Sequence, residues 1–143
     1  MQKLTCTLLV DDDATTNFLN RKLLEKLGVT DTLLVAQNGR QALDLVLQNC
    51  QDATASCPVL IFLDVKMPVM NGFEFLEEYA KLPLAHSRAI IIIMLTTSLH
   101  PQDVRRVQEL NIAGFLNKPL TREKVDDVLK KHFNRHLTDQ PTD

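Results

Sequence analysis

The chain has 143 residues, 45% hydrophobic and 24% charged, and 16 Lys/Arg against 18 Asp/Glu leave a formal net charge of −2. That size fits one domain whose core needs no metal or disulfide staple, and the composition is too apolar and too weakly charged for a disordered chain. With balanced charge, 5% aromatics and no Trp, it offers no basic base-stacking surface, so no direct nucleic-acid contact is expected.

Met1-Gln2-Lys3-Leu4-Thr5 leads directly into a strand-like run, without the charged, apolar and small-residue regions of a signal peptide. The longest apolar run, Ala89 to Leu95, is far below the ~18 residues of a membrane span. No membrane insertion is expected, and the expected location is cytoplasmic. Leu8-Leu9-Val10 reads as the first strand. Residues 14–27 have helical spacing, with Phe18, Leu19, Leu23, Leu24 and Leu27 on one stripe and Gly28 as the stop. Leu33 to Ala36 is the second strand, and Asn38-Gly39 opens a second helix with Ala42, Leu43, Val46 and Leu47 inward.

After a loose stretch from Gln48 to Pro58, Val59 to Leu63 forms a third strand. Asn71-Gly72 opens a third helix with Phe73, Leu76 and Tyr79 or Ala80 inward. Ile90 to Leu95 is the fourth strand, and Pro101 starts a fourth helix carrying Val104, Val107 and Leu110. Gly114-Phe115-Leu116 is the fifth strand. Thr121 caps a last helix with Val125, Val128, Leu129 and Phe133 inward. The third and fourth runs are continuous and β-branched, as in parallel strands covered on both faces. The expected architecture is α/β: a (βα)5 doubly wound parallel five-stranded sheet of order 2-1-3-4-5, flavodoxin-like. Residues 1–133 form the domain. Residues 134–143 are a polar tail, with disorder an open reading.

Cys6, Cys50 and Cys57 are odd in number and form no CxxC pair. The expectation is reduced thiols in a reducing compartment, with a Cys50–Cys57 bond across the loop as the minority reading. The four histidines have no metal-ligand spacing, and Lys130-Lys131 with Arg135 reads as a solvated helix face.

In such folds ligands bind beyond the carboxyl ends of the strands. Asp11, Asp12 and Asp13 follow the first run, Asp64 the third, Thr96 the fourth, and Lys118-Pro119 the fifth. The proposed strand order brings the first and third ends together, so carboxylates converge. Converging carboxylates repel one another and favour a bound cation. Oxygen-only ligands suit Mg²⁺ or Mn²⁺. An Asp beside a metal, a Lys and a Thr hydroxyl is a credible phosphoryl acceptor. Each residue also has a plainer reading. Asp13 reads first as a helix cap, and Thr96, Phe115, Lys66 and Lys118, taken singly, read as strand cap, core and surface lysines.

The set Val10-Asp11-Asp12, Leu63-Asp64-Val65-Lys66-Met67-Pro68 with Asn71-Gly72, Met94-Leu95-Thr96, and Phe115-Leu116-Asn117-Lys118-Pro119 resembles the receiver domain of two-component response regulators, over roughly residues 3–133. The resemblance is to stand-alone, chemotaxis-regulator-like members. It implies Asp64 as phospho-acceptor, Asp12 as direct Mg²⁺ ligand, Asp11 as the acid that helps hold the metal through water, and the Lys66 backbone carbonyl as a further ligand. It implies Thr96 as the switch hydroxyl, Phe115 as the aromatic that follows it, Lys118 as the cation on the phosphoryl oxygen, and a Lys118–Pro119 peptide that is often cis.

Family members take the phosphoryl group from a histidine kinase or histidine phosphotransfer protein. They signal to a downstream protein through the face of the fourth helix, fifth strand and last helix, as a monomer or phosphorylation-dependent dimer, or relay the group onward. They catalyse their own phosphorylation and dephosphorylation without being turnover enzymes. Thr97 stands where the family usually has Ala or Gly, so it is expected to narrow water access and lengthen the phosphorylated lifetime. Lys66 and Ser98 are further tuning positions.

Three other readings fit the residues less well. A haloacid-dehalogenase-like phosphatase needs an acid two positions after its nucleophile, and Lys66 stands there. A phosphorylation-independent pseudo-receiver would have no need of the acid, Thr and Lys set. Flavin binding is disfavoured because three acids occupy the turn where a phosphate cradle would sit.

Overall fold

A computed structural model describes residues 3–51, 57–87, 89–97 and 112–135 and the single positions 102, 105 and 137. Five strands, β1 (Leu4–Val10), β2 (Thr30–Ala36), β3 (Leu60–Asp64), β4 (Ile91–Thr96) and β5 (Gly114–Asn117), form one sheet of order β2-β1-β3-β4-β5. Every pairing is parallel. The helices are α1 (Ala14–Leu27), α2 (Gly39–Asn49), α3 (Gly72–Ala80), a single turn α4 (Leu84–Ser87), and α5 (Arg122–Phe133).

Side chains alternate across the sheet with period two, and each strand feeds two cores. Leu8 and Val10, Ile61 and Leu63, and Ile92 and Met94 point to one face, where Ala42, Leu43 and Val46 of α2 and Phe73, Phe75, Leu76 and Tyr79 of α3 cover them. Leu9, Leu60 and Phe62, and Ile93 and Leu95 point to the other, under Leu24 of α1 and Val125, Val128 and Leu129 of α5. Strands buried on both faces need continuous apolar runs, which is why β3 and β4 were legible. β2 is an edge strand and reads Thr-Asp-Thr before its apolar residues, so it begins three residues earlier than hydropathy alone indicates.

Caps fix the helix starts. Asp13, Asn38, Asn71 and Thr121 each accept a hydrogen bond from a first-turn amide, and Asn71 with Glu74 closes a capping box. Gly28, at φ 64°, ends α1 in the left-handed region.

Several expectations need correction. Phe18 and Leu19 do not face the core; they are 57% and 60% exposed. The buried row of α1 is Asn17, Asn20 and Leu24, spaced i, i+3, i+7, with Leu23 and Leu27 of the predicted stripe partly buried against the same core, so the helix is turned only partly away from its apolar stripe. In α3 it is Tyr79 that turns inward, with Phe75, and not Ala80. Cys50 and Cys57 are not reduced thiols: the chain ends of the loop bring their Cα atoms to 4.6 Å and a disulfide joins them, leaving Cys6 as the buried free cysteine. Cysteine usage therefore gives no argument for a reducing compartment. The turn α4 was not anticipated.

The predicted fourth helix, starting at Pro101 with Val104, Val107 and Leu110, lies outside the described residues except for positions 102 and 105, which are helical. Ser98, His100, His136, residues 52–56 of the loop and the tail beyond 137 also lie outside them. Among the described residues no helix is long and apolar enough to cross a membrane.

Candidate functional site

The parallel register sets four chemical groups at one level. Val10 pairs with Leu63, Asp64 with Leu95 and Thr96 with Asn117. Asp11 therefore follows β1 beside Asp64 at the end of β3, Thr96 ends β4, and Lys118 follows β5. β1 and β3 are neighbours although β2 intervenes in sequence. This is the point of reversal in strand order, where such sheets open a crevice.

Asp11, Asp64 and Thr96 are buried, whereas Asp12 is exposed. The Lys118 ammonium bridges the buried acids, 2.8 Å from Asp11 Oδ2 and 3.1 Å from Asp64 Oδ1. Asp64 Oδ1 also accepts the Val65 amide at 2.9 Å. Both ties go to one oxygen, and Asp64 Oδ2 has no hydrogen-bond partner among the described residues. Asp11 Oδ1 accepts the Asp13 amide at 2.9 Å, which folds the acidic turn back on itself.

Burial, and then the negative charge of Asp11, push the Asp64 carboxyl up to about 6 against the pull of Lys118. Burial alone would lower the Lys118 ammonium, but hydrogen bonds to Asp11 and Asp64 outweigh it and hold it above its ordinary range. Two buried carboxylates thus share one cation, and the cluster remains one that gains from a further positive charge.

Carboxylate oxygens of Asp11, Asp12 and Asp64 lie within 4.8 Å of one another, so these three could hold a metal ion. The donors are all oxygens, one of them solvent-facing, which fits a hard cation that keeps some of its waters. Asp13 is not part of this group. It caps α1, accepting from the Thr15 amide and the Thr16 hydroxyl, and the Thr16 bond holds its carboxyl below its ordinary value. Lys66 and Thr97 are exposed, and Phe115 is half-buried against the core on the α2–α3 face.

The loop from Val65 to Asn71 is held at close quarters. The Gly39 amide donates to the Met70 carbonyl at 2.7 Å and the Gly72 amide to the Val65 carbonyl at 3.0 Å. A Cβ at Gly72 would run into the Asp64 carbonyl, so only glycine fits. Val69 has φ 67° and is 80% exposed, a strained setting for a β-branched residue. The Lys118–Pro119 peptide is cis.

Sequence reading missed two features. Asn17 is buried, and its side-chain amide donates to the carbonyls of Asp11 at 2.8 Å and Ala36 at 3.3 Å. Its signal was the Asn17, Asn20, Leu24 spacing, which hydropathy discounts. The other is a cleft of about 300 Å³ between α1 and the β5–α5 turn, lined by Thr16, Leu19, Asn20, Leu23, Lys118, Pro119 and Leu120. Exposed Leu19 forms part of its wall, and Phe18 is its exposed neighbour in sequence.

The sequence is similar to the "Probable methanogenesis regulatory protein FilR2" of Methanothrix harundinacea, 32% identical over 124 residues that cover 87% of this chain and 78% of that protein. It is 29% identical to part of the "Sensor histidine kinase CheAY" of Helicobacter pylori, over 87% of this chain but only 14% of that much longer protein. In fold it resembles a two component response regulator from Cytophaga hutchinsonii, with TM-score 0.81 at 24% identity, over 94% of this chain and all of that one. The model of the response regulator receiver domain matches residues 7–130, a span that takes in Asp11, Asp12, Asp64, Thr96 and Lys118 together, and on that match the chain belongs to the response regulator receiver domains of two-component signalling.

Proposed function

We propose that the chain accepts a phosphoryl group on Asp64 from a phosphohistidine donor and signals through the resulting change in shape. The observation that carries this reading is the Lys118 ammonium set between Asp11 and Asp64 with Asp12 alongside. An Asp64 carboxylate oxygen forms the new O–P bond, the donor's N–P bond breaks, and the leaving imidazole takes a proton. Asp64 Oδ2 is the oxygen of choice, because Oδ1 is already tied to the Val65 amide and Lys118. Asp12 directly, Asp11 through water, Asp64 and the Lys66 carbonyl would hold Mg²⁺ or Mn²⁺, which when bound neutralises charge on the transferring group. Lys118 supplies the second positive charge from a side chain whose position the two acids have already fixed.

Once formed, the acyl phosphate adds charge of roughly −1.5 to −2 where a single carboxylate stood. Lys118 is positioned to pair with it, and the Thr96 hydroxyl to hydrogen-bond it. Phe115, beside Met94 in register and two residues short of level with Thr96, then repacks at the face that includes β5 and α5. That face would meet the downstream target or a second copy, or the group would be relayed onward. The donor, a histidine kinase or phosphotransfer protein, would dock where α1 exposes Phe18 and Leu19 beside the cleft that leads to Lys118. Similarity to part of a sensor histidine kinase supports a partner of this class. Thr97, Lys66 and Ser98 would tune the lifetime of the phosphorylated state.

The test is intact mass after incubation with acetyl phosphate and Mg²⁺. One phosphoryl adduct is expected in wild type, and none in Asp64→Ala or without the metal. A folded wild type that gains no adduct from acetyl phosphate or from a phosphorylated histidine kinase would refute the reading.

A further inference from the structure

Asn17 is 5% exposed on the first turns of α1, a helix whose other inward positions include Leu24. Its Nδ2 donates to two carbonyls on different strand ends, Asp11 at 2.8 Å and Ala36 at 3.3 Å. Both partners are acceptors, which fixes the orientation of the amide. The Asp11 amide donates to the same Ala36 carbonyl at 3.1 Å. Asn17 thus pins the peptide between Asp11 and Asp12 to the end of β2. That peptide's plane sets where the Asp12 Cα lies and where its carboxylate can point. Asn17 Oδ1 is meanwhile buried without a hydrogen-bond partner among the described residues. Such an orphan is a cost that an apolar residue of similar size would avoid, so core packing alone does not account for an asparagine here.

We infer that Asn17 is a positioning residue for the metal-binding acids: its amide holds the Asp11–Asp12 turn in the geometry that lets Asp11, Asp12 and Asp64 act on one cation. The inference rests on the reading that these acids bind Mg²⁺. Groups that orient ligands without touching the metal change its affinity by about 10–100-fold when removed. Asn17→Ala is expected to weaken Mg²⁺ by at least about tenfold on that basis.

The measurement is Mg²⁺ affinity by isothermal titration calorimetry on the full chain, with the thermal midpoint in EDTA recorded for each variant. Leu24→Ala is the control. It removes a fully buried side chain from the same helix, so it should lower the midpoint and leave the affinity as in wild type. Asn17→Ser, whose short hydroxyl bonds within the helix, is titrated in parallel in case the alanine variant does not fold; it should lose affinity in the same way. Wild-type affinity in a folded Asn17 variant, or an equal loss in Leu24→Ala, overturns the inference while the metal reading stands. No Mg²⁺ binding by wild type overturns both.

Discussion

The backbone amide of Lys118 donates to the carbonyl of Thr96 at 2.8 Å. The residue that would supply the hydroxyl and the residue that supplies the ammonium are therefore joined through main chain. Movement of Thr96 toward a phosphoryl group on Asp64 would be felt at the end of β5, one residue beyond Asn117. This is a short mechanical route from the acceptor to the β5–α5 face, and it uses no side-chain contact.

Replacing the bridging cation should impair acceptance without unfolding the chain. Lys118→Met keeps the stem and removes the charge between two buried carboxylates. Adduct formation from acetyl phosphate is expected to slow by about 100–1,000-fold, the effect of losing one aligned electrostatic group in a site of this kind. Time-resolved intact mass against wild type checks it, and an unchanged rate would remove Lys118 from the mechanism.

The raised Asp64 carboxyl makes metal-free stability depend on pH. The folded state holds this proton more tightly than the unfolded chain, whose Asp titrates near 3.9. Stability is therefore highest below that value and falls as pH rises through about 6. The loss expected is roughly 3 kcal/mol, and Mg²⁺, which binds the ionised form, should offset it. Urea melts in EDTA between pH 4 and 7 on wild type and Asp64→Asn would show the slope in the first and a flatter curve in the second.

The loop after β3 contains one position that tolerates no side chain and one that has too much. Gly72→Ala drives a methyl into the Asp64 carbonyl and the Met94 methyl, and should destabilise by about 2 kcal/mol or more. Val69→Gly relieves a left-handed β-branched residue with 80% of its surface in solvent, and should stabilise by about 1 kcal/mol. Opposite signs in thermal melts are expected, and a destabilised Val69→Gly would show that the side chain makes a contact that outweighs its strain.

Thr97 is exposed immediately after Thr96, where its side chain can cover the approach to the acceptor. Thr97→Ala is expected to shorten the lifetime of the phosphorylated protein several-fold by admitting water. Loss of the adduct is followed by mass after removal of the donor. An equal or longer lifetime in the variant would assign Thr97 no gating role.

Most of the site was legible because each chemical residue stands at, or within two residues of, the end of an apolar run. Asp11, Asp64, Thr96 and Lys118 stand at strand ends, and alternation of strand and helix is enough to bring parallel strand ends to one edge of a sheet. Asn17 was not legible. A polar residue in a helix reads as solvent-facing by default, and only packing shows that its amide satisfies carbonyls from two strands.

The sequence by itself determined the layered α/β architecture, the strand order's consequence for the acids, and the four strand-end groups, because hydropathy period and strand-end position are local properties of the chain. Tertiary structure alone decided three matters: the rotation of α1 that leaves Phe18 and Leu19 in solvent, the 4.6 Å approach of Cys50 to Cys57, and the sharing of Lys118 between Asp11 and Asp64. The first and last relate segments far apart in sequence and are set by which surfaces pack best against the sheet; the second joins residues seven apart, and depends on how α2 and β3 hold the two ends of one loop.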